Sequence, residues 1–369
     1  MRTWRDRAPA EQEAGERSWD VVRAAYAERL PAPRRRDHRP LLAVAAAAIL
    51  AAAAFSPPGL AVWGSLRDAG GSEDHLLALP TRGRILVNAQ GGAWVVSRDG
   101  SKRFLSGYAD AAWSPHGLYL AAARRNELVA MEPDGTVHWT LARSAPVGAP
   151  EWSYEGYRVA YYAGSALRVV NGDGTDDRLI APNAVGSGLP AFAWRPGTHQ
   201  LAYANARGEL VLLDVDSGRI LWRRASRGTE QLLWSGDGRR LFVANVRPRV
   251  LDGDGRLVAQ FRAGAILPAA FVPGSHSLAV VRSAQRQSTV FVYSGPRYHQ
   301  RRTVFAGAGV FGGIAWSPDA RWLLVDWRTA DEWLFIRSAA VQRIAVRNIG
   351  NTFDSGPEHY ATLAGWCCR

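Results

Sequence analysis

The chain has 369 residues, 47% of them hydrophobic and 21% charged, which excludes an intrinsically disordered chain and allows one large domain or two average ones. Its net charge of +12 would suit a nucleic-acid partner, but the 45 basic residues are dispersed against 33 acidic ones, and no zinc-finger, basic-zipper or RNP-like motif gathers them, so nucleic acid is not expected as a partner. Two counts stand out: 15 Trp, and a basic set that is all Arg except Lys102.

Residues 1–39 begin with a polar stretch. From 18 to 30, Trp19, Val22, Tyr26 and Leu30 fall on one stripe at helical spacing, with Ser18 as a cap and Pro31 as a stop. The spacing predicts a short amphipathic helix that lies on a membrane or docks on a cytoplasmic partner. The basic cluster Arg34–Arg39 follows, and then 15 uncharged apolar residues, Leu41–Phe55, extending without a charge to Trp63. That length suits a transmembrane helix over 40–63, with the arginines on the cytoplasmic side and Trp63 at the outer interface. A cleaved signal peptide and a buried Ala-rich helix are the alternatives. Residues 64–83 read as a linker to an extracytoplasmic domain.

Residues 84–369 repeat. Trp113-Ser-Pro-His-Gly117 returns as Trp152-Ser-Tyr-Glu-Gly156, Trp194-Arg-Pro-Gly197, Trp234-Ser-Gly-Asp-Gly238, Phe271-Val-Pro-Gly274 and Trp316-Ser-Pro-Asp319. The anchors lie 39, 42, 40, 37 and 45 residues apart. After each comes an apolar run such as Arg158–Tyr162. In most repeats a second run follows, such as Ala166–Val170, and then a polar turn such as Asn171-Gly-Asp-Gly174. Four short strands per period of this length mean a β-propeller blade.

Six anchors open six blades. Arg84–Val87, Ala93–Val96 and Arg103–Leu105 make three strands with no anchor before them, and Tyr360–Trp366 is an anchor-like strand with no blade after it. Joined, they make a seventh blade and close the ring. The 286 residues then divide into blades of about 41, against about 48 for six blades and about 36 for eight. An all-β, seven-bladed propeller is the expected fold.

The W-S-P-D-G motif followed by an apolar strand resembles the WD40-like, TolB-type (PD40) propeller repeat. Asp214-Val-Asp-Ser-Gly-Arg-Ile-Leu-Trp222 resembles the turn of quinoprotein-type repeats. The layout as a whole resembles single-pass propeller proteins of high-GC bacteria. Some proteins of similar layout act with extracytoplasmic-function sigma factors, which implies a membrane-bound binding or sensing scaffold. A cell-envelope assembly or carbohydrate-binding propeller is the alternative, and a quinoprotein-like enzyme a third.

For chemistry the sequence offers little, and no catalytic, cofactor-binding or metal-ligating set is expected. Gly307-Ala-Gly309-Val-Phe-Gly312 matches GxGxxG, but it runs into the strand Ile314–Trp316 instead of a helix and reads as a loop. The acidic run Asn171–Asp177 lacks the glycine and terminal glutamate of an EF-hand and reads as a hairpin turn. Cys367 and Cys368 read as exposed terminal thiols. The Trp excess is assigned first to the anchors Trp113, Trp152, Trp194, Trp234, Trp316 and Trp366, with Phe271 in the same place. Trp322, Trp327 and Trp333 remain as a candidate ligand-facing patch.

Overall fold

Strands buried on both faces read as unbroken apolar runs, whereas strands at a rim alternate. Both kinds recur in each repeat. The computed structural model describes residues 77–184, 191–262, 266–338, 342–354 and 360–368. The expected helix at 18–30, the membrane span at 40–63 and most of the 64–83 linker lie outside the described residues. Among the described residues, no helix is long and apolar enough to cross a membrane.

In chain order, β1 (Arg84–Ala89), β2 (Gly92–Val96) and β3 (Lys102–Ser106) belong to the first blade. The second holds β4 (Ala109–Trp113), β5 (Leu120–Arg124), β6 (Glu127–Met131) and β7 (Val137–Ala142). The third holds β8 (Val147–Trp152), β9 (Arg158–Ala163), β10 (Ala166–Asn171) and β11 (Arg178–Ala181). The fourth holds β12 (Phe192–Trp194), β13 (Gln200–Ala204), β14 (Glu209–Asp214) and β15 (Ile220–Ala225). The fifth holds β16 (Gln231–Trp234), β17 (Arg240–Ala244), β18 (Arg249–Asp252) and β19 (Leu257–Gln260). The sixth holds β20 (Ile266–Phe271), β21 (Leu278–Ala284), β22 (Gln287–Ser294) and β23 (Gln300–Ala308). The seventh holds β24 (Gly313–Trp316), β25 (Trp322–Trp327), β26 (Glu332–Arg337) and β27 (Arg343–Arg347). A short helix, α1 (Ile349–Thr352), precedes β28 (Thr362–Cys367).

Among the described residues the sheets are seven, each four-stranded and antiparallel, and the first has the order β28-β1-β2-β3. The last strand therefore completes the first blade, as the strand count required. β28 also contacts both β24 and β4, so the seven anchor strands form a closed inner ring. Pairing with β28 covers the edge of β1 that would otherwise be open.

Burial follows the layering. β5, β9, β13, β17, β21 and β25 are buried along most of their length between two neighbouring blades, whereas the outermost strands β7, β15 and β27 are largely exposed. Seven apolar clusters fill the seven junctions, and each anchor ring belongs to the junction with the preceding blade. Trp152, Trp194, Trp234, Trp316 and Trp366 are buried, and Trp113 and Phe271 half-buried.

The serine of the anchor motif closes its own loop. Ser114 Oγ accepts the Tyr119 N–H at 3.0 Å, Ser153 Oγ that of Arg158 at 3.1 Å, Ser235 Oγ that of Arg240 at 3.0 Å and Ser317 Oγ that of Trp322 at 2.9 Å. All four serines are buried, and each would leave a costly unpaired group if the loop opened. A second clasp works at the rim. Trp139 Nε1 donates to Gly172 O at 2.8 Å, and Trp222 Nε1 to Gly253 O at 3.0 Å, each across to the next blade's polar turn.

Candidate functional site

Antiparallel order sends the loop after each anchor to one face of the ring. The second-to-third-strand turns and the links between blades then lie on the other face. On that second face the sixth blade departs from the repeat. Its β21, β22 and β23 have seven, eight and nine residues, against three to six elsewhere. Ala284 pairs with Gln287, so the hairpin turns on two residues, Gln285 and Arg286. Both have positive φ, +48° and +65°, the backbone that such tight turns demand and that Asn-Gly or Asp-Gly normally supplies. Non-glycine residues held there store strain, which concentrates at binding sites.

Beside this hairpin is a cavity of about 670 Å³, lined in part by Ser283, Gln285, Arg286, Gln287, Val310 and Thr329. All six are exposed. The far wall includes residues of the GxGxxG run, whose first two residues end β23 and whose last four, Gly309–Gly312, form the expected loop before β24. Its glycines answer to close packing rather than to a nucleotide. A Cβ on Gly307 would meet the Trp327 ring at 2.7 Å, and one on Gly309 would meet Thr329 Oγ1 at 2.4 Å. At Gly312 it would meet Asp326 Oδ2 at 2.6 Å and Arg328 Nε at 2.7 Å. The loop is tied down by Gly312 N–H to Asp326 O at 2.8 Å and by Val310 N–H to Thr329 Oγ1 at 2.7 Å.

Asp326 itself is 4% exposed, and its Oδ2 has no hydrogen-bond partner; neither has the nearby Arg328 Nε. Burial pushes the Asp326 carboxyl up to about 7; Arg328 opposes the rise and Asp331 adds to it. The Arg328 guanidinium sits 5.4 Å over the Tyr360 ring. The corner thus sets a strained, projecting hairpin beside a mainly apolar cavity, with a buried carboxyl behind the neighbouring loop.

The expected aromatic patch is not part of this surface as a unit. Trp322 and Trp333 are 7% and 2% exposed, packed with Trp366 in the junction of the seventh and first blades, and present no face to a ligand. Trp327 is half-buried; its Nε1 donates to Ala308 O at 2.8 Å, and its ring meets Phe305 and Phe311 edge-on. The terminal cysteines also differ from expectation. Cys367 and Cys368 are half-buried against the Ser114–Gly117 loop and bonded to each other. Sequence reasoning missed Gln285, Arg286, Asp326 and Arg328. The sign available for the hairpin was the 45-residue spacing from Phe271 to Trp316, the longest between successive anchors from Trp113 to Trp316.

No family model matches the chain, and no curated protein matches it. Solved structures do. The β-propeller domain of Cps50 (Swd1) from Myceliophteria thermophila superposes with a TM-score of 0.54 at 14% identity, over 71% of this chain and 89% of that one. A chain of the mitotic checkpoint complex gives 0.57 at 15% identity, over 74% and 97%. A chain of hydrazine synthase from Kuenenia stuttgartiensis gives 0.51 at 14%, over 67% and 79%. The chain has the fold of WD40-type seven-bladed propellers, a scaffold that serves many functions.

Proposed function

We propose that this propeller is a non-enzymatic scaffold that binds a protein partner at the corner formed by the sixth-blade hairpin and the 309–312 loop. The observation that carries the reading is the hairpin itself. It stands beyond the repeat, holds Gln285 and Arg286 at positive φ, and borders the 670 Å³ cavity. A propeller needs no such extension for its own core. Two of the structural neighbours, a checkpoint-complex chain and Cps50 (Swd1), support a binding role by likeness of fold.

The reading includes a membrane anchor at 40–63, with residues 1–39 cytoplasmic, the propeller extracytoplasmic, and bacterial sigma-factor-linked regulation through Trp19, Val22, Tyr26 and Leu30. This part rests on the Arg34–Arg39 cluster and the apolar run after it. A photo-crosslinking residue at Arg286 should capture a discrete partner in the native host, and one at Asp237 on the opposite face should not. Equal capture at both, or none at Arg286, overturns the partner site. Protease shaving of intact cells should remove the propeller, and loss of residues 1–39 should alter transcription; failure of either removes the corresponding part.

A further inference from the structure

Half of the chain's net charge lies in one stretch. Residues 219–262 hold ten Arg against four carboxylates, a net +6 of the total +12. They cover the outer strand of the fourth blade and most of the fifth. Between these blades runs a groove of about 390 Å³ whose lining includes Arg224, Arg247, Arg249, Leu251, Leu257 and Gln260, and no carboxylate.

The arginines are placed, not merely present. Arg224 Nε donates to Gly255 O at 2.9 Å and its Nη2 to Asp254 O at 3.1 Å, which fixes the side chain across the junction. Arg249 Nη2 donates to Ala225 O at 2.9 Å from the opposite wall. Arg247 is exposed at the mouth. Among the described residues none of the three forms an ion pair, and the nearby Asp254 is engaged by Arg256 at 3.0 Å. Arg249 is half-buried, and burial lowers its guanidinium from the ordinary value. A desolvated cation without an anion is costly, and a bound anion removes that cost.

We propose that this groove is a binding site for a phosphate group, with Arg224, Arg247 and Arg249 as its cationic ligands, Gln260 as an amide donor, and Leu251 and Leu257 as the apolar wall for the carbon skeleton that carries the phosphate. Guanidinium groups match phosphate oxygens in pairs of parallel hydrogen bonds, and three of them suit a multiply charged anion better than a single carboxylate. The site is separate from the sixth-blade corner and stands without it.

Titration calorimetry on the full chain in nonionic detergent tests it, with inorganic pyrophosphate, glycerol 3-phosphate and a heptaglutamate peptide as probes. Pyrophosphate should bind, and Arg247→Ala should weaken it by about tenfold, the loss of a charge-assisted hydrogen bond. Arg302→Ala, on the sixth blade, should leave it unchanged. Binding of glycerol 3-phosphate as well would identify a phosphomonoester such as a headgroup; pyrophosphate alone would identify a free phosphate. Equal weakening by Arg302→Ala would show diffuse attraction and overturn the site. So would binding of heptaglutamate in preference to pyrophosphate, or of no probe. Arg249→Gln, with its unfolding midpoint measured alongside, should weaken pyrophosphate in a folded chain.

Discussion

Arg195 of the fourth blade lies 5.1 Å over the ring of Trp234, the anchor of the fifth. Its Nε donates to Gly238 O at 2.8 Å and its Nη1 to Gln200 Oε1 at 2.8 Å. The same relation joins the first and second blades, where Arg84 lies 4.8 Å over Trp113 and donates to Gly117 O. Arg195 occupies the place of the anchor-motif serine and adds a clasp on the neighbouring blade, while its own loop is still held by Arg195 Nη1 on Gln200 and by the Gln200 N–H on Thr198 Oγ1 at 3.2 Å.

Arg195→Lys tests this clasp. An ammonium cannot reach both acceptors and cover the ring at once. The change should cost about 1–2 kcal/mol, read as a lower denaturant midpoint at unchanged slope. An unchanged midpoint would show that the clasp contributes nothing.

A second prediction concerns the anchor loop of the seventh blade. Gly117, Gly156 and Gly238 take positive φ four residues after their anchors, Gly197 and Gly274 three residues after theirs, and Ala320 holds the fourth place here with φ +58°. Its N–H donates to Ser317 O at 2.8 Å, as Gly238 N–H does to Ser235 O. Ala320→Gly should therefore stabilise the protein by about 0.5–1 kcal/mol, because relief of the left-handed strain exceeds the entropy that glycine adds to the unfolded chain. Thermal unfolding at neutral pH would show a higher midpoint; a lower one would place the entropy term first.

Much of this fold was legible because a Trp at an inner strand is a large, recurrent mark, and a ring must close. The orphan strands at Arg84–Leu105 and Tyr360–Trp366 could satisfy their edges only with each other. The third strand of the fifth blade, Arg249–Asp252, was harder to see, since four residues beside an Arg-Pro pair carry little strand signal. The Gln285–Arg286 turn was hidden for the opposite reason, because residues that normally avoid positive φ give no warning of a tight hairpin. The crowding of Trp322, Trp327 and Trp333 misled in a further way. Propeller strands at the middle of a blade are buried on both faces, so aromatic density there marks core as readily as surface.

That correction is measurable. Trp333→Ala should cost about 3–5 kcal/mol, the usual toll of emptying a buried indole site. Trp327→Ala, at a half-buried rim position, should cost less. Equal and small losses would return both residues to the surface.

The last prediction is a pH dependence. The residue before the anchor is Ala112, Ala193, Leu233, Ala270, Ala315 or Gly365 in six blades and Glu151 in the third. Glu151 lies on β8 opposite Ala160, with its carbonyl accepting Trp194 Nε1 at 3.1 Å. Burial pushes its carboxyl from 4.5 up to about 8, and hydrogen bonding to the Trp194 backbone opposes the rise. The phenol of Tyr162, whose oxygen has no hydrogen-bond partner, is raised too, by burial and then by Glu151. Between these two values the folded protein holds a proton that the unfolded chain releases. Stability from this group is thus fully present below pH 4.5 and falls as pH rises, by at most about 1.4 kcal/mol per pH unit, until the folded carboxyl ionises near 8. Glu151→Gln keeps the shape and removes the proton. The variant and the parent should unfold at similar denaturant concentrations at pH 4.5, and the variant should gain steadily on the parent up to pH 8. Parallel curves across that range would mean that Glu151 is ionised in the folded ring.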